Sequence, residues 1–213
     1  MKKLIITVLA LVAGITALAQ EASDIDLSVG VGFIGATKTT TYNGSVDKCE
    51  GPGFYAKLGF CSMFGQSGAG YLFNIFYTSA SYDTGTSTVP DSEWNESNVG
   101  FLMALCFRLD LSEQLSVMPY VGPGTTFGLK SVQTATAAGV TATIDWYDDD
   151  DPGKGGLNYQ RQNAYLSVGL AADVVKKVRL SFGYDFGMWN RITNQKDTKL
   201  KDTAYRFGIA YIF

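Results

Sequence analysis

The sequence predicts an all-β fold, an eight-stranded antiparallel transmembrane up-and-down β-barrel with short periplasmic turns and long external loops. Three observations lead to this fold class. Eight segments show period-two alternation between an apolar face and a face of mostly small or polar residues, no apolar face carries a charged side chain, and the connections alternate between short and long. Period-two alternation is the pattern of a β-strand whose two faces meet different environments.

The first 19 residues predict a secretory signal peptide. Two lysines are followed by an apolar run over residues 4–15 and by the small-x-small sequence Ala-Leu-Ala at 17–19. The apolar run is short for a membrane-spanning helix, which disfavours an uncleaved anchor. Cleavage after Ala19 would leave a barrel domain that covers residues 20–213.

The first four segments lie in the N-terminal half, and each puts bulky residues at every second position. Their apolar faces comprise Ile25, Leu27, Val29, Val31 and Phe33; Phe54, Ala56, Leu58 and Phe60; Tyr71, Phe73, Ile75 and Tyr77; and Val99, Phe101, Met103, Leu105 and Phe107. Each segment has about ten residues, which suits a tilted strand that crosses the hydrocarbon layer.

The last four segments repeat the pattern up to the final residue. Their apolar faces comprise Val117, Pro119, Val121 and Pro123; Leu166, Val168, Leu170 and Ala172; Val178, Leu180, Phe182, Tyr184 and Phe186; and Tyr205, Phe207, Ile209, Tyr211 and Phe213. Proline removes a donor from the ladder, so we expect a bulge or weak pairing near Pro119 and Pro123.

The composition of the second face decides between a membrane barrel and a soluble β-sandwich. A sandwich would point its apolar faces inward and expose the other face to water. Here the second face is mostly Gly, Ala and Ser with a few charges, whereas water-exposed strands carry many polar and charged side chains. Small residues suit a narrow lumen, and the wide aromatic face suits lipid.

The connection lengths give the topology. Short connections lie at 64–70, 110–114 and around 173–177, and long ones lie at 36–53, 83–97, 130–161 and 188–202. Short periplasmic turns with longer external loops are typical of outer-membrane barrels. A β-structure in lipid must close on itself to satisfy its backbone groups, so the eight strands should form a ring.

The lumen of such a barrel is just wide enough for side chains to fill it. We expect four aromatic side chains to point inward and fill the lumen, those of Tyr55, Phe76, Tyr120 and Tyr165. Counting along the last hairpin predicts an ion pair between Asp185 and Arg206, with Lys57 at a similar height. A buried charge needs a partner, so a structural salt bridge is favoured over an ion or proton pathway.

Aromatic residues near the strand ends predict the membrane boundaries. Trp94 and Trp189 fall in or beside long connections, and Tyr211 and Phe213 end the chain. Tyr and Trp concentrate where lipid meets water. We therefore interpret these four residues as girdle aromatics.

The sequence lacks the residue types or spacings that several catalytic and binding sites need. The chain contains no histidine, which excludes Ser-His-Asp triads, and no catalytic, cofactor or metal site is predicted. The acidic run Asp148–Asp151 lacks calcium-loop spacing, so a solvated loop is favoured over a cation site. Buried free thiols are favoured for Cys61 and Cys106, and the state of Cys49 is left open. A net charge of −3 gives no basic excess for nucleic acid.

A family resemblance is carried by the signal peptide ending "ALAQ", by "PYVGPG", by "RLSFGYDFG" and by the terminal "YRFGIAYIF". With these features the chain resembles small outer-membrane barrels of the OmpA/OmpX type, and more narrowly the Bacteroidota "outer membrane protein beta-barrel domain" family. The resemblance implies an outer-membrane location, contact with lipid and lipopolysaccharide, and recognition of the terminal Phe213 by the insertion machinery.

The sequence favours a structural or surface-interaction barrel with a side-chain-filled lumen and four external loops. The alternative is a narrow channel or a carrier for small hydrophobic ligands, and an enzyme is the third possibility. Fold alone does not supply function, and the sequence leaves the external binding partner open.

Overall fold

The computed structural model describes residues 25–65, 67–85 and 91–213. The predicted signal peptide lies outside the described residues. The strands are β1 Ile25–Tyr42, β2 Ser45–Met63, β3 Ala69–Asp83, β4 Asp91–Phe107, β5 Leu109–Ser112, β6 Leu115–Ala137, β7 Val140–Asp145, β8 Gln162–Val174, β9 Val178–Gly187 and β10 Thr198–Ile212. A single 3-10 turn, Pro152–Lys154, interrupts the connection before β8. No helix in this described part is long and apolar enough to cross a membrane.

Eight of these strands close into a ring. Each of β1, β2, β3, β4, β6, β8, β9 and β10 pairs antiparallel with its neighbour, and the β1–β10 and β4–β6 pairings complete the circle. The short strands β5 and β7 pair only with the two ends of β6. A closed ring satisfies its own backbone groups, so the predicted eight-stranded antiparallel up-and-down barrel is confirmed.

The bulky residues point away from the ring. Phe33 is 74% exposed and Leu105 is 66% exposed, although both are large and apolar. The exposed apolar side chains of the ring include Val31, Phe33, Phe54, Ile75, Tyr77, Val99, Phe101, Met103, Leu105, Val121, Phe127, Leu166, Leu170, Phe182, Phe186, Tyr205, Phe207 and Ile209, which we call the apolar belt. Such a belt fits hydrocarbon, and a layered soluble sandwich would have buried it.

The small residues of the inner face make room for large neighbours. A Cβ at position 208 would collide with the phenol of Tyr55, and one at position 169 would collide with that of Tyr120. The rings from β2 and β6 therefore lie directly against the backbone of strands one or two positions away in the ring. Only glycine fits at these positions because a tyrosine ring lies against the backbone. This explains why the inward face has so many small residues.

The strands are longer than predicted, and one predicted loop is wrong. Strand β1 has 18 residues and β6 has 23, and only Asn43 and Gly44 join β1 to β2. Both turn residues have positive φ, as a tight hairpin turn requires. The segment 36–53 is thus a continued hairpin. Beyond the apolar belt its residues are mostly polar on both faces, so regular apolar alternation stops while the hydrogen-bond ladder continues.

The three predicted short turns lie together at one end of the barrel. They connect β2 to β3, β4 to β6 through β5, and β8 to β9, and Ile25 and Ile212 lie at the same end. We call this the periplasmic end and the opposite one the outer end, since external loops are the longer ones in this architecture.

The prolines of β6 disturb only one of its two ladders. Pairing with β8 runs without a register shift from Leu115 to Phe127. Pairing with β4 is interrupted at Met103 and Ala104, next to Pro123, and resumes in the same register on the other side of the interruption. Weak pairing is therefore found, but the bulge lies elsewhere, between Ser97 and Asn98.

Closure of the ring predicts heat-modifiable migration on a denaturing gel. The unboiled barrel should stay folded in detergent and migrate differently from the boiled chain, because its backbone ladder has no open edge in the ring. The measurement compares both samples of the purified protein on one gel. Identical migration of both samples would contradict a closed barrel.

Candidate functional site

Three tiers of charged side chains are stacked inside the ring, and they form the candidate functional site. The periplasmic tier contains Asp26, Arg108, Asp173 and Arg179; the central pair is Asp185 and Arg206; the outer tier contains Lys38, Glu96, Arg191 and Asp202. Each tier balances its positive and negative charges.

The periplasmic tier is built around Asp173. Arg179 donates to it with both Nε, at 2.6 Å, and Nη2, at 2.8 Å. Arg108 Nη2 lies 3.4 Å from the same carboxylate and also contacts Asp26. Paired N–H···O bonds of this kind hold an arginine in a fixed orientation. The tier therefore ties β1, β4, β8 and β9 together across the lumen.

The central pair lies between aromatic rings. Arg206 Nη2 is 2.7 Å from Asp185 Oδ1 and 3.4 Å from Ser167 Oγ. The guanidinium lies 4.9 Å from the ring centre of Phe76 and 5.8 Å from that of Tyr165. Both charged residues are less than one tenth exposed. An arginine in such a place is stabilised by its carboxylate and by the faces of the rings, although the buried Nε of Arg206 has no hydrogen-bond partner among the described residues.

Lys57 lies lower than predicted and outside the central pair. Its Nζ donates to Ser181 Oγ at 3.0 Å, and Ser181 is level with Gly208, two residues below Arg206. The ion pairs found among the described residues do not include Lys57. Counting residues from strand ends ignores the stagger of tilted strands in a barrel, which explains the error in height.

The inward aromatic residues occupy the middle of the lumen. Tyr55, Phe76 and Tyr165 are each 4% exposed or less. Tyr120 is partly buried, and its hydroxyl lies 3.4 Å from the carbonyl oxygen of Phe182 on β9, two strands away. Tyr165 likewise donates to the carbonyl oxygen of Phe101 at 3.1 Å. Polar tips thus find partners while the rings fill space.

The outer tier surrounds Lys38, whose side chain is fully buried. Lys38 Nζ contacts Glu96, lies 3.3 Å from Asp202 Oδ1 and donates to the Tyr159 hydroxyl at 3.0 Å. Arg191 bridges the same two carboxylates, at 3.0 Å to Glu96 and 2.6 Å to Asp202. Both acids therefore hold two cations each.

An aromatic cage covers the Lys38 ammonium and corrects one predicted girdle residue. The ammonium lies 4.6 Å from the ring centre of Trp94 and 4.8 Å from that of Tyr82. Trp94 is 6% exposed, stacks on Trp146 at 5.0 Å and donates to Ser131 Oγ at 2.8 Å. Its interpretation as a girdle residue is wrong, because β4 extends beyond it and turns its side chain inward.

The other predicted girdle residues are exposed. The exposed fractions are 45% for Trp189, 45% for Tyr211 and 54% for Phe213. Tyr211 and Phe213 pack edge to face, with ring centres 5.1 Å apart, at the periplasmic end. Their contact with the lipid boundary stays a prediction.

Two external connections close the outer mouth. Residues 146–161 contribute Tyr147 and Tyr159, and residues 188–197 contribute Arg191. The Tyr147 hydroxyl donates to Glu96 at 3.1 Å and lies 2.9 Å from Arg191 Nη2. Burial raises the pKa of both phenols, so they stay neutral donors. The outer tier thereby fastens both connections over the lumen.

The acidic run forms a turn held by the backbone. Asp151 accepts hydrogen bonds from the N–H groups of Asp145 and Gly153, which lower the pKa of its carboxyl. Lys154 Nζ donates to the Asp148 carbonyl at 2.7 Å and lies 3.3 Å from Asp149. Across residues 25–65, 67–85 and 91–213, no group of three or more potential ligands is arranged to hold a metal ion.

The thiols are free in the described chain. Cys61 and Cys106 are buried on the inner face, and Cys49 is partly buried near the outer end. Cys61 Sγ lies 3.6 Å from Met118 Sδ. These contacts are those of small side chains in an apolar cluster.

The tiers and rings divide the remaining space inside the lumen. A cavity of about 70 Å³ lies between the outer tier and the central pair, and one of about 20 Å³ lies below the central pair. Phe76 and Arg206 line both cavities and separate them. The smaller one holds about one water molecule. Larger openings of about 500 Å³ and 390 Å³ lie at the periplasmic and outer ends.

Sequence reasoning missed all four residues of the outer tier. Lys38, Glu96 and Asp202 fell in segments interpreted as loops, and Arg191 lies in a true connection. A signal was available for the first three, since each continues the inward parity of its strand. Lys38, for example, follows Ile34 and Ala36 at every second position.

Comparison with known proteins supplies architecture only. No family model and no curated protein matches the chain. Among solved structures, it is similar to the attachment invasion locus protein Ail of Yersinia pestis in complex with a heparin analogue, at 13% identity and TM-score 0.46 over 89% of this chain and 99% of that one. It is similar to the Neisserial surface protein A at 14% identity and TM-score 0.47, over 88% of this chain and 97% of that one. It is also similar to the outer membrane protein OprG of Pseudomonas aeruginosa at 11% identity and TM-score 0.45, over 88% of this chain and 95% of that one.

At these identities and scores the likeness is one of general architecture, and the fold follows from the strand pairing of the chain itself. Eight antiparallel strands close into a ring, bulky apolar side chains face outward and three short turns lie together at one end. This combination is that of bacterial outer-membrane barrels. The chain is an eight-stranded transmembrane β-barrel with the architecture of small bacterial outer-membrane barrels.

Proposed function

We propose that the protein is a non-enzymatic structural and surface-interaction barrel, whose lumen is sealed and whose outer end is displayed outside the cell. The observation that carries this function is the stack of three ion-pair tiers. The periplasmic and outer tiers cross the lumen, and the central pair, which joins the neighbouring strands β9 and β10, is flanked by Phe76 and Tyr165. A lumen filled in this way stiffens the barrel and leaves recognition to its outer end.

The outer end suits display because it is rigid. Strands β1, β2 and β6 continue well beyond the apolar belt as paired hairpins, and the connections 146–161 and 188–197 are fixed by Glu96 and Asp202. Binding residues are often carried on connections that a rigid scaffold positions. The external partner itself is not specified by these contacts.

The proposal includes export and assembly. Cleavage after Ala19 would release residues 20–213 to the periplasm, and the exposed Phe213 would be available to the insertion machinery. Outer-membrane lipid and lipopolysaccharide would then surround the apolar belt. Mass spectrometry of the mature N-terminus tests the cleavage site directly.

Single-channel recording tests the sealed lumen. The purified barrel in a planar bilayer should show no discrete current steps, because Phe76 and Arg206 separate the two inner cavities. Insertion must be checked in the same sample by the gel shift between unboiled and boiled protein. Reproducible current steps from inserted wild-type barrels would instead support the alternative function, a narrow channel.

A further inference from the structure

Three exposed lysines lie on the outward face of the barrel beyond the apolar belt. They are Lys48 on β2 and Lys199 and Lys201 on β10, and β1 runs between them with Thr37, Thr39 and Thr41 on the same face. We call this surface the lysine sector. The lumen does not use it, so its role lies outside the proposed sealing function.

Strand register brings the lysines together. Thr39 pairs with Lys48 on one side and with Lys201 on the other, and Thr41 pairs with Lys199. Directly paired residues share a face of the sheet, and neighbouring strands are about 4.8 Å apart. The Cα atoms of Lys48 and Lys201 are therefore about 10 Å apart, with only threonine between them.

The height of the sector coincides with the head-group layer. Tyr205 and Phe33 are the last large exposed residues of the belt on β10 and β1. Lys201 precedes Tyr205 by four residues on the same strand and lies nearer its outer end. At about 3.3 Å per residue and a tilt of about 40°, the lysine lies about 10 Å beyond the belt. Long lysine side chains there reach the head groups of the outer leaflet.

The charge of the sector is positive and is not used internally. Lys48, Lys199 and Lys201 are absent from the ion pairs found among the described residues. The carboxylates that face the sector are Glu50, which is outward opposite Thr37, and Asp47 at the hairpin tip beside Lys48. Three cations thus face two acids within the sector. The outward acids Asp83 and Glu93 on β3 and β4 lie beside Glu50, so the excess of positive charge is greatest around Lys199 and Lys201 on β10, on the other side of β1.

We propose that the lysine sector binds the phosphate groups of a phosphorylated lipid of the outer leaflet, such as the lipid A portion of lipopolysaccharide. Its acyl chains would lie along the apolar belt below Tyr205, and its phosphates would meet Lys48, Lys199 and Lys201 above it. Ammonium groups bind phosphate through charge-assisted hydrogen bonds, and a lipid satisfies both surfaces at once. A soluble polyanion would satisfy only the lysines.

Lipid titration of the folded barrel tests the proposal. The probe is diphosphorylated lipid A, added to the detergent-solubilised protein and measured by native mass spectrometry at low salt. Neutralising all three lysines with Lys48→Gln, Lys199→Gln and Lys201→Gln should weaken binding about 100-fold, or about fivefold for each lysine. Dephosphorylated lipid A should bind wild type and variant equally, and added salt should narrow the difference.

Two further variants make the result specific. The triple Lys→Arg variant keeps the charge and should bind like wild type. The control variant Lys176→Gln, Lys177→Gln and Lys196→Gln removes the same charge from the periplasmic turn and from an external connection, and it should also bind like wild type.

Equal lipid A binding by the sector variant and wild type would overturn the proposal. So would an equal loss in the control variant, or a preference of the sector for soluble polyphosphate over lipid A. All variants must first show the gel shift of a folded barrel. None of these outcomes affects the sealed lumen, which conductance tests separately.

Discussion

The Glu96→Gln variant is expected to unfold with a free energy about 3–5 kcal/mol lower than that of wild type. Glu96 is 3% exposed and lies between two buried cations, Lys38 and Arg191. The amide removes the negative charge while both cations stay buried, and removing one partner of a buried pair is the costly case. Tyr147 and Tyr159 also lose a charged acceptor.

The matched control for this variant is Glu93→Gln on the same strand. Glu93 faces outward, where its carboxylate contacts Ser81, so its neutralisation should change stability by less than about 1 kcal/mol. Both variants are measured by urea unfolding in lipid vesicles, with tryptophan fluorescence reporting on the stacked Trp94 and Trp146. Equal unfolding midpoints for the two variants would show that the outer tier does not stabilise the fold.

A second readout locates the effect. Loss of Glu96 should release the connections 146–161 and 188–197 from the outer mouth, because Tyr147, Tyr159 and Arg191 all reach its carboxylate. Limited proteolysis of the inserted barrel should then cleave these connections faster in Glu96→Gln than in Glu93→Gln. Unchanged cleavage would mean that apolar packing alone holds them.

The lipid-crossing part of the fold could be predicted because each strand there meets two contrasting environments. Val31 and Phe33 contact lipid while Gly30 and Gly32 face a crowded lumen, and this contrast appears directly as alternation. The same alternation predicted that the side chains of Asp185 and Arg206 point into the lumen. Their side chains share a face of one hairpin, so register alone places them near each other.

The outer end could not be predicted in the same way because its two environments are alike. Thr37, Thr39 and Thr41 face water, and Lys38 between them faces a polar network, so apolar alternation disappears although pairing continues. Arg191 is harder still. It reaches Glu96 from a connection, and that contact depends on how the connection folds back over the ring.

The central pair gives the second large effect, which a double-mutant cycle isolates. Asp185→Leu should lower the free energy of unfolding by about 3–5 kcal/mol, because Arg206 would stay buried with only Ser167 and aromatic rings as neighbours. Arg206→Met should also be destabilising, since it leaves the Asp185 carboxylate buried without a cation. The double variant replaces both charges with apolar side chains and should be more stable than either single variant.

Urea unfolding of the four proteins in the same vesicles gives the coupling energy between the two positions. A double variant whose loss equals the sum of the two single losses would show that Asp185 and Arg206 act independently, against the geometry of their 2.7 Å contact. If the free energy of unfolding of the double variant returns to that of wild type, an apolar pair of similar volume stabilises the barrel as well as the ion pair does. The role of the ion pair would then be to fill the lumen and to fix the side chains there. Phe76 and Tyr165 would then still close the space between the two inner cavities, and the double variant should conduct no ions.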